Sequence, residues 1–262
     1  KRLYFRKFMA DLRISDDEEQ TSIFAAGTNI GLLAQGLFPG GVSAEPPDAF
    51  SYHIAVAKTK ELIEAGQEVI YEAAFNYEGV LCAIDILVKK NGKWYAYEVK
   101  GSTKVKEPFI LDASLQHFVI SNSGVPLEDI SIIHLNNQYV RIGELNIQEL
   151  FTKQTIKEQV IANRDFIASK IVELKTILKD KKEPDIGTGS HCYKPYECDF
   201  TGHCWADYQP EPSTIPLNID REAIREFLEE WQYPLYFFDF ETIMPAVPEI
   251  DHSRPYQQIP FQ

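Results

Sequence analysis

The stretch from Val80 to Gly101, VLCAIDILVKKNGKWYAYEVKG, constrains the fold more than any other part of the chain. Two runs of strand-forming residues flank Asn91-Gly92, a dipeptide suited to a two-residue type I′ turn because both central positions need positive φ. With that turn as the loop, Lys90 faces Lys93, Lys89 faces Trp94, and Asp85 falls opposite Glu98. Directly opposed Cβ atoms lie roughly 4.5–5.5 Å apart, and like charges so placed repel. Alternation along the strands puts Lys100 beside Asp85 and Glu98, and gathers Ile84, Ile86, Val88, Tyr95, Tyr97 and Val99 on a second, apolar face. If Glu78-Gly79 turns the preceding hairpin, Glu72 faces Asp85 as a third acid. A divalent cation held by hard oxygen ligands accounts economically for such a face. The competing reading is a solvated surface on which Asp85 pairs with Lys100.

The 262 residues suit one large domain, or one domain with an appendage. Apolar residues make up 44% and aromatics 12%, enough for a sizeable core. A net charge of −13 argues against non-specific coating of nucleic acid, which relies on neutralising phosphates, but it leaves room for a local basic strip. Lys89, Lys90, Lys93, Lys104 and Lys106 are the candidate strip; a solvated turn is its plain alternative. No apolar run is long enough to span a bilayer and no signal peptide opens the chain, so a cytoplasmic protein without membrane contact is expected. A start on Lys1 and an end inside a pattern suggest further sequence on both sides.

Helical spacing predicts helices over 1–12, 21–38 and 53–65, with an acidic loop from Asp16 to Glu19. The pair Gly27 and Gly31 is read as permitting close packing of the second helix. A strand over 68–77 precedes the hairpin, and Asp112 is read as the cap of a helix ending near Ser121. Ile130 to Leu135 reads as a buried strand, turned at Asn136-Asn137 towards Tyr139–Ile142. The longest helical pattern runs over 152–182, a short helix over 221–231, and a final strand over 233–243. The order gives an α/β protein with a mixed central sheet flanked by helices and a cysteine-rich segment towards the C-terminus.

Asp85 followed by Glu98-Val99-Lys100 on the next strand, with Glu72 upstream, resembles the PD-(D/E)XK nuclease superfamily. The order of three strands, a helix and a strand is similar to that superfamily's core. Gln116 looks like the extra glutamine of its RecB-type exonuclease branch, which includes the CRISPR-associated exonucleases. Two positions depart from the pattern. Ile120 stands where an aromatic is usual, and Gly31 stands where many members carry a metal-binding His in a Gly-x-x-x-His pattern begun here by Gly27. Over about residues 1–205, the resemblance implies a restriction-endonuclease-like sheet and a metal-dependent deoxyribonuclease, an exonuclease by branch. It implies Mg2+ or Mn2+ on Glu72, Asp85, Glu98 and the Val99 carbonyl, Lys100 at the reacting phosphate, and Gln116 within the site. DNA is the implied substrate, with RNA as an alternative. A catalytically inactive module that keeps the fold and binds nucleic acid or protein is the competing function.

Cys192, Cys198 and Cys204 follow a C-x5-C-x5-C spacing with His191 and His203 alongside, which favours a metal over disulfides. Cys82 is a poor fourth ligand, being mid-strand and three residues from Asp85. The same resemblance implies a [4Fe–4S] cluster whose fourth cysteine precedes a basic-aromatic segment like Lys1-Arg2-Leu3-Tyr4. Zinc completed by a histidine, or no metal, are the alternatives. Asp239 and Glu241, two apart at the end of an apolar run, resemble the first metal-binding motif of RNase H-like DEDD exonucleases. The expected organisation is a nuclease domain over 1–208, containing the cysteine segment 191–205, a linker with a short helix over 209–231, and the start of a second module over 232–262. A linker strand packing on the first domain is the alternative for that tail.

Overall fold

The computed structural model describes residues 1–14, 18–206, 219–232, 234, 236, 239 and 241–260, with the backbone alone described for 18–26. Six strands form one mixed sheet in chain order: β1 (Val42–Ser43), β2 (Val69–Tyr77), β3 (Val80–Lys90), β4 (Lys93–Lys100), β5 (Leu127–Leu135) and β6 (Phe151–Thr155). The pairs β1–β2 and β4–β5 are parallel, and the other three are antiparallel. Helices α1 (Arg2–Phe8), α2 (Glu18–Gln35) and α3 (Tyr52–Glu64) precede the hairpins. Helix α4 (Glu107–Asn122) crosses between the parallel strands β4 and β5. The short α5 (Ile147–Leu150), then α6 (Lys157–Ala162) and α7 (Arg164–Asp180) follow.

Both hairpin turns adopt the two-residue positive-φ backbone, which Asn-Gly favours and Glu-Gly takes less readily. Asn91 and Gly92 take φ of 52° and 77°, and Glu78 and Gly79 take 49° and 78°. The ladders start from Lys90–Lys93 and Tyr77–Val80, as turn chemistry predicts. Apolar cover lies on both faces of the sheet. On one, Ile84, Leu87, Ala96, Ile130 and Ile132 pack with Val119 and Ile120 of α4. On the other, Ile86, Ile133 and Leu135 pack with Ile30 and Ala34 of α2.

Several expectations are corrected. Helix α4 starts at Glu107 with Lys106 as its N-cap and a proline in the first turn, so Asp112 lies inside the helix rather than capping it. Pro108 supplies the start, since proline fits the first turn of a helix, where its missing N–H is not needed. Residues 152–155 belong to strand β6, because Thr152 and Lys153 pair with His134 and Ile133 of β5. The helical pattern begins only after Ile156 and breaks at Asn163 into α6 and α7. Tyr139–Ile142 forms no strand; Tyr139 is buried and its hydroxyl accepts from the Asn146 N–H, while Ile142 is exposed. A Cβ on Gly27 or Gly31 would meet nothing within 4 Å, so neither glycine serves close packing among the described residues. Glu18 and Glu19 already belong to α2, whereas residues 16 and 17 of the acidic loop lie outside the described residues.

Towards the C-terminus, α8 (Thr201–Cys204) lies in the cysteine segment, and α9 (Arg221–Glu229) is capped by the Asp220 carboxylate. Within the expected strand 233–243, strand geometry is described only for β7 (Thr242–Ile243), which pairs with β8 (Ile259–Pro260); residues 233, 235, 237, 238 and 240 lie outside the described residues. Ala246, Val247 and Tyr256 pack on the α2 side of the central sheet. Arg141 Nη1 donates to the carbonyls of Pro248 and Glu249, both at 3.0 Å, and the Tyr256 hydroxyl donates to the Gly101 carbonyl at 2.6 Å.

Candidate active site

Strand parity changes at one cross-strand pair, and that pair is acidic. Tyr71 faces Ile86 and Ala73 faces Ile84, which leaves Glu72 opposite Asp85. Ile70 and Ala73 share one core although three residues apart, as do Ile84 and Leu87. Tyr71 and Ile86 lie in the other core. Both strands therefore exchange faces at Glu72 and Asp85. Glu72 takes a φ of 53°, a left-handed backbone that costs a residue other than glycine on the order of 1 kcal/mol. This exchange separates Ile84 from Ile86, correcting the single apolar face expected from unbroken alternation. It also brings Cys82 to the α4 side, where its Sγ lies 3.9 Å from the Gln116 carbonyl oxygen and burial pushes its thiol up to about 12. Cys82 is thus an inert buried group, as its strand position suggested.

Beyond Ile86–Tyr97 the β3–β4 ladder gives way to a side-chain bond: the Val99 N–H donates to Asp85 Oδ2 at 2.5 Å. Glu98, only 7% exposed, stands on β4 beside this bond. Its Oε1 accepts from Lys100 Nζ at 2.7 Å and its Oε2 from Gln116 Nε2 at 2.7 Å. Gln116 is anchored by a second donation to the Ala83 carbonyl at 2.9 Å, and its Oε1 is buried with no hydrogen-bond partner among the described residues. Lys100 Nζ also donates to Asp112 Oδ2 at 2.7 Å. The sequence reading missed Asp112 as part of this site. The signal was its spacing from Gln116, since residues four apart share a helix face.

The acids hold their protons more tightly than free carboxyls do. Burial, reinforced by Glu45 and Glu98, raises Glu72 to about 7. Burial raises both Asp85 and Glu98; Glu72 adds to the rise of Asp85 and Asp85 to that of Glu98, against the Val99 hydrogen bond on Asp85 and the Lys100 charge on both. Lys100 is raised by Glu98 and Asp112, which outweigh its burial. Because Glu72 is raised in the folded state, it stabilises the fold below its unfolded value, and that stabilisation is lost as pH rises through about 7. In metal-free protein, wild type is therefore expected to lose melting temperature relative to Glu72→Gln between pH 5 and pH 8. Paired thermal melts check this, and parallel curves would contradict it.

Among the described residues no three His, Cys, Asp or Glu side chains already form a metal cage. The donor chemistry nevertheless suits a hard divalent cation: carboxylates crowded by burial, with the backbone of Val99 hydrogen-bonded directly to Asp85. Of the candidate lysines, Lys104 and Lys106 follow the end of β4 that carries Glu98 and Lys100. Lys93 opens this eight-residue strand and Lys89 and Lys90 close β3 beside it, about 25 Å away, so the five do not form one patch. Lys93 pairs with Glu128 at 3.0 Å, and Lys89 lies over the Trp94 ring.

The cysteine segment lies against the start of the chain. Phe5 packs on Phe200 at 5.3 Å and edge-on to His203 at 5.6 Å between ring centroids. Asp199 receives Arg2, Arg6 and Arg13 at 2.6, 2.8 and 3.2 Å. The Cys198 N–H donates to the Cys192 carbonyl at 2.7 Å, and all three cysteines are free thiols. Burial raises the Cys204 thiol, Lys1 opposes, and Cys198 and Cys192 raise it further, although among the described residues the cysteines and histidines of this segment do not form a group that could hold a metal. Asp239 and Glu241 are exposed, and no described residue completes a site around them.

Comparison with known proteins adds little to this geometry. Residues 236–262 match the model of a domain of unknown function, DUF2779. No curated protein matches the chain. A solved structure titled "Crystal structure of SSO0001" is 14% identical, covering 79% of this chain and 96% of its own, with a TM-score of 0.29. No helix among the described residues is long and apolar enough to cross a membrane.

Proposed function

We propose that the chain is a metal-dependent nuclease that hydrolyses DNA phosphodiester bonds, with Glu72, Asp85, Glu98 and Lys100 as its centre. The observation that carries this reading is the register that sets Glu72 opposite Asp85 where both strands exchange faces, with the buried Glu98 and its Lys100 bond on the next strand. The arrangement of Asp85 and Glu98-Val99-Lys100 supports the resemblance to the PD-(D/E)XK superfamily, and Gln116 beside Glu98 supports its RecB-like branch.

Glu72, Asp85, Glu98 and the Val99 carbonyl would hold Mg2+ or Mn2+. Such a cation supplies charge that polarises a phosphodiester and makes water more acidic. Asp85 is oriented for this by the Val99 N–H, and Gln116 fixes the plane of the Glu98 carboxylate through its second anchor on Ala83. Lys100 carries a fixed positive charge beside Glu98, where it stabilises negative charge developing on a phosphate. Lys104 and Lys106 offer backbone contacts for the strand entering the site. The docking of α1 beside Cys192, Cys198 and Cys204 is the support for a metal there, an iron–sulfur cluster or zinc with a histidine, that would tie the two together.

Incubating the chain with an end-labelled DNA duplex and single strand, with Mn2+ or with chelator, tests the reading. Fragments that require the metal are expected. Retention of DNA without fragments at any metal concentration would instead favour a binding module that keeps the fold, a reading to which the open position at Gly31 is congenial.

A further inference from the structure

The hydrogen bonds around Glu98 raise a question of exchange. Both carboxylate oxygens are occupied, Oε1 by Lys100 and Oε2 by Gln116. A cation drawn to Glu98 repels the ammonium on Oε1 but not the neutral amide on Oε2, so the lysine is the donor that has to move aside. If Glu98 is to ligate a cation, Lys100 has to give up Oε1 and still stay in the site.

Helix α4 supplies the means. Asp112 lies one helical turn before Gln116, and its Oδ2 accepts from Lys100 Nζ at 2.7 Å, the same distance as the bond to Glu98. Asp112 is an exposed residue in the sixth position of the helix, past the first turn where an acid favours the helix dipole. Aspartate is also among the poorer helix formers at an interior position. Its placement is therefore explained by the lysine and not by the helix.

We propose that Asp112 is a positioning residue: it retains the Lys100 ammonium when Glu98 turns Oε1 towards a metal ion. This rests on the metal-site reading above and names how that site exchanges a lysine for a cation without losing the lysine. Without Asp112, the ammonium has Glu98 as its remaining carboxylate and competes with the cation for Oε1.

A double-mutant cycle on metal binding tests the proposal without relying on cleavage. Mn2+ affinity is measured by calorimetry for wild type, Asp112→Asn, Lys100→Met and the double variant, with thermal melts confirming that each is folded. Asp112→Asn is expected to weaken Mn2+ binding about tenfold, the lower end for a residue that orients a metal ligand. In the Lys100→Met background the same change should have little effect, because no ammonium is left to retain. Asp112→Glu should recover most of the affinity, and DNA cleavage, where present, should fall in kcat and not in KM. An equal loss in both backgrounds would show that Asp112 acts only as a remote negative charge and would overturn the proposal. No loss in either background would overturn it too. The nuclease reading fails separately: wild type that binds Mn2+, shows the coupling and leaves DNA intact refutes the nuclease and keeps the positioning role. Wild type that binds no Mn2+ refutes both.

Discussion

Lys100→Met is expected to lower DNA cleavage about 100- to 1,000-fold, the usual loss when one group that stabilises transition-state charge is removed. The substitution keeps the length of the aliphatic stem and removes only the ammonium. Glu98 retains its bond from Gln116, and its raised proton affinity lets it become neutral in the buried site. Large destabilisation is therefore not expected, and the loss belongs to kcat. Metal binding should persist, because the ammonium competes with a cation for Glu98 Oε1. Single-turnover cleavage at saturating Mn2+ checks this. Activity within about twofold of wild type would remove Lys100 from the chemistry, since each tenfold of rate corresponds to about 1.4 kcal/mol of barrier.

Phe5→Ala should destabilise the protein by about 3–5 kcal/mol, in the range for a buried phenylalanine. Phe5 is 1% exposed and Phe200 is fully buried, and their tilted ring contact joins helix α1 to the cysteine segment. The Arg2, Arg6 and Arg13 pairs with Asp199 surround that contact but are partly exposed, and exposed ion pairs contribute little. Loss of the ring thus removes the main apolar contribution that holds the chain's start to the cysteines. A lower denaturant midpoint is expected, together with faster modification of Cys192, Cys198 and Cys204 by a thiol reagent. An unchanged midpoint and unchanged thiol reactivity would mean that α1 does not secure this segment.

Much of the site was legible in the sequence because turn chemistry fixes register. Asn91-Gly92 and Glu78-Gly79 both adopt positive φ, and counting from each turn places Glu72, Asp85 and Glu98 as neighbours. The reading failed where local patterns have more than one realisation. Alternation was taken as unbroken through Asp85, yet the left-handed Glu72 exchanges the faces, and nothing in a glutamate marks such a backbone. Ile156, Val160 and Ile167 do have helical spacing, but Thr152 to Thr155 completes the sheet edge beside β5, a tertiary demand that periodicity cannot register. Asp112 was read as a cap because Asp commonly begins helices; Pro108 was the better start signal. Lysines close in sequence were grouped as a patch, although a strand's length separates them.

The central claim is that the acids at the exchange of faces hold a divalent cation that, with Lys100, cuts DNA. Its most direct measurement follows Mn2+ binding and DNA cleavage together in wild type, Asp85→Ala and Lys100→Met. Wild type should bind Mn2+ and cleave, Asp85→Ala should lose both, and Lys100→Met should bind without cleaving. Cleavage that survives in both variants, or wild type that neither binds Mn2+ nor cleaves, would contradict the account.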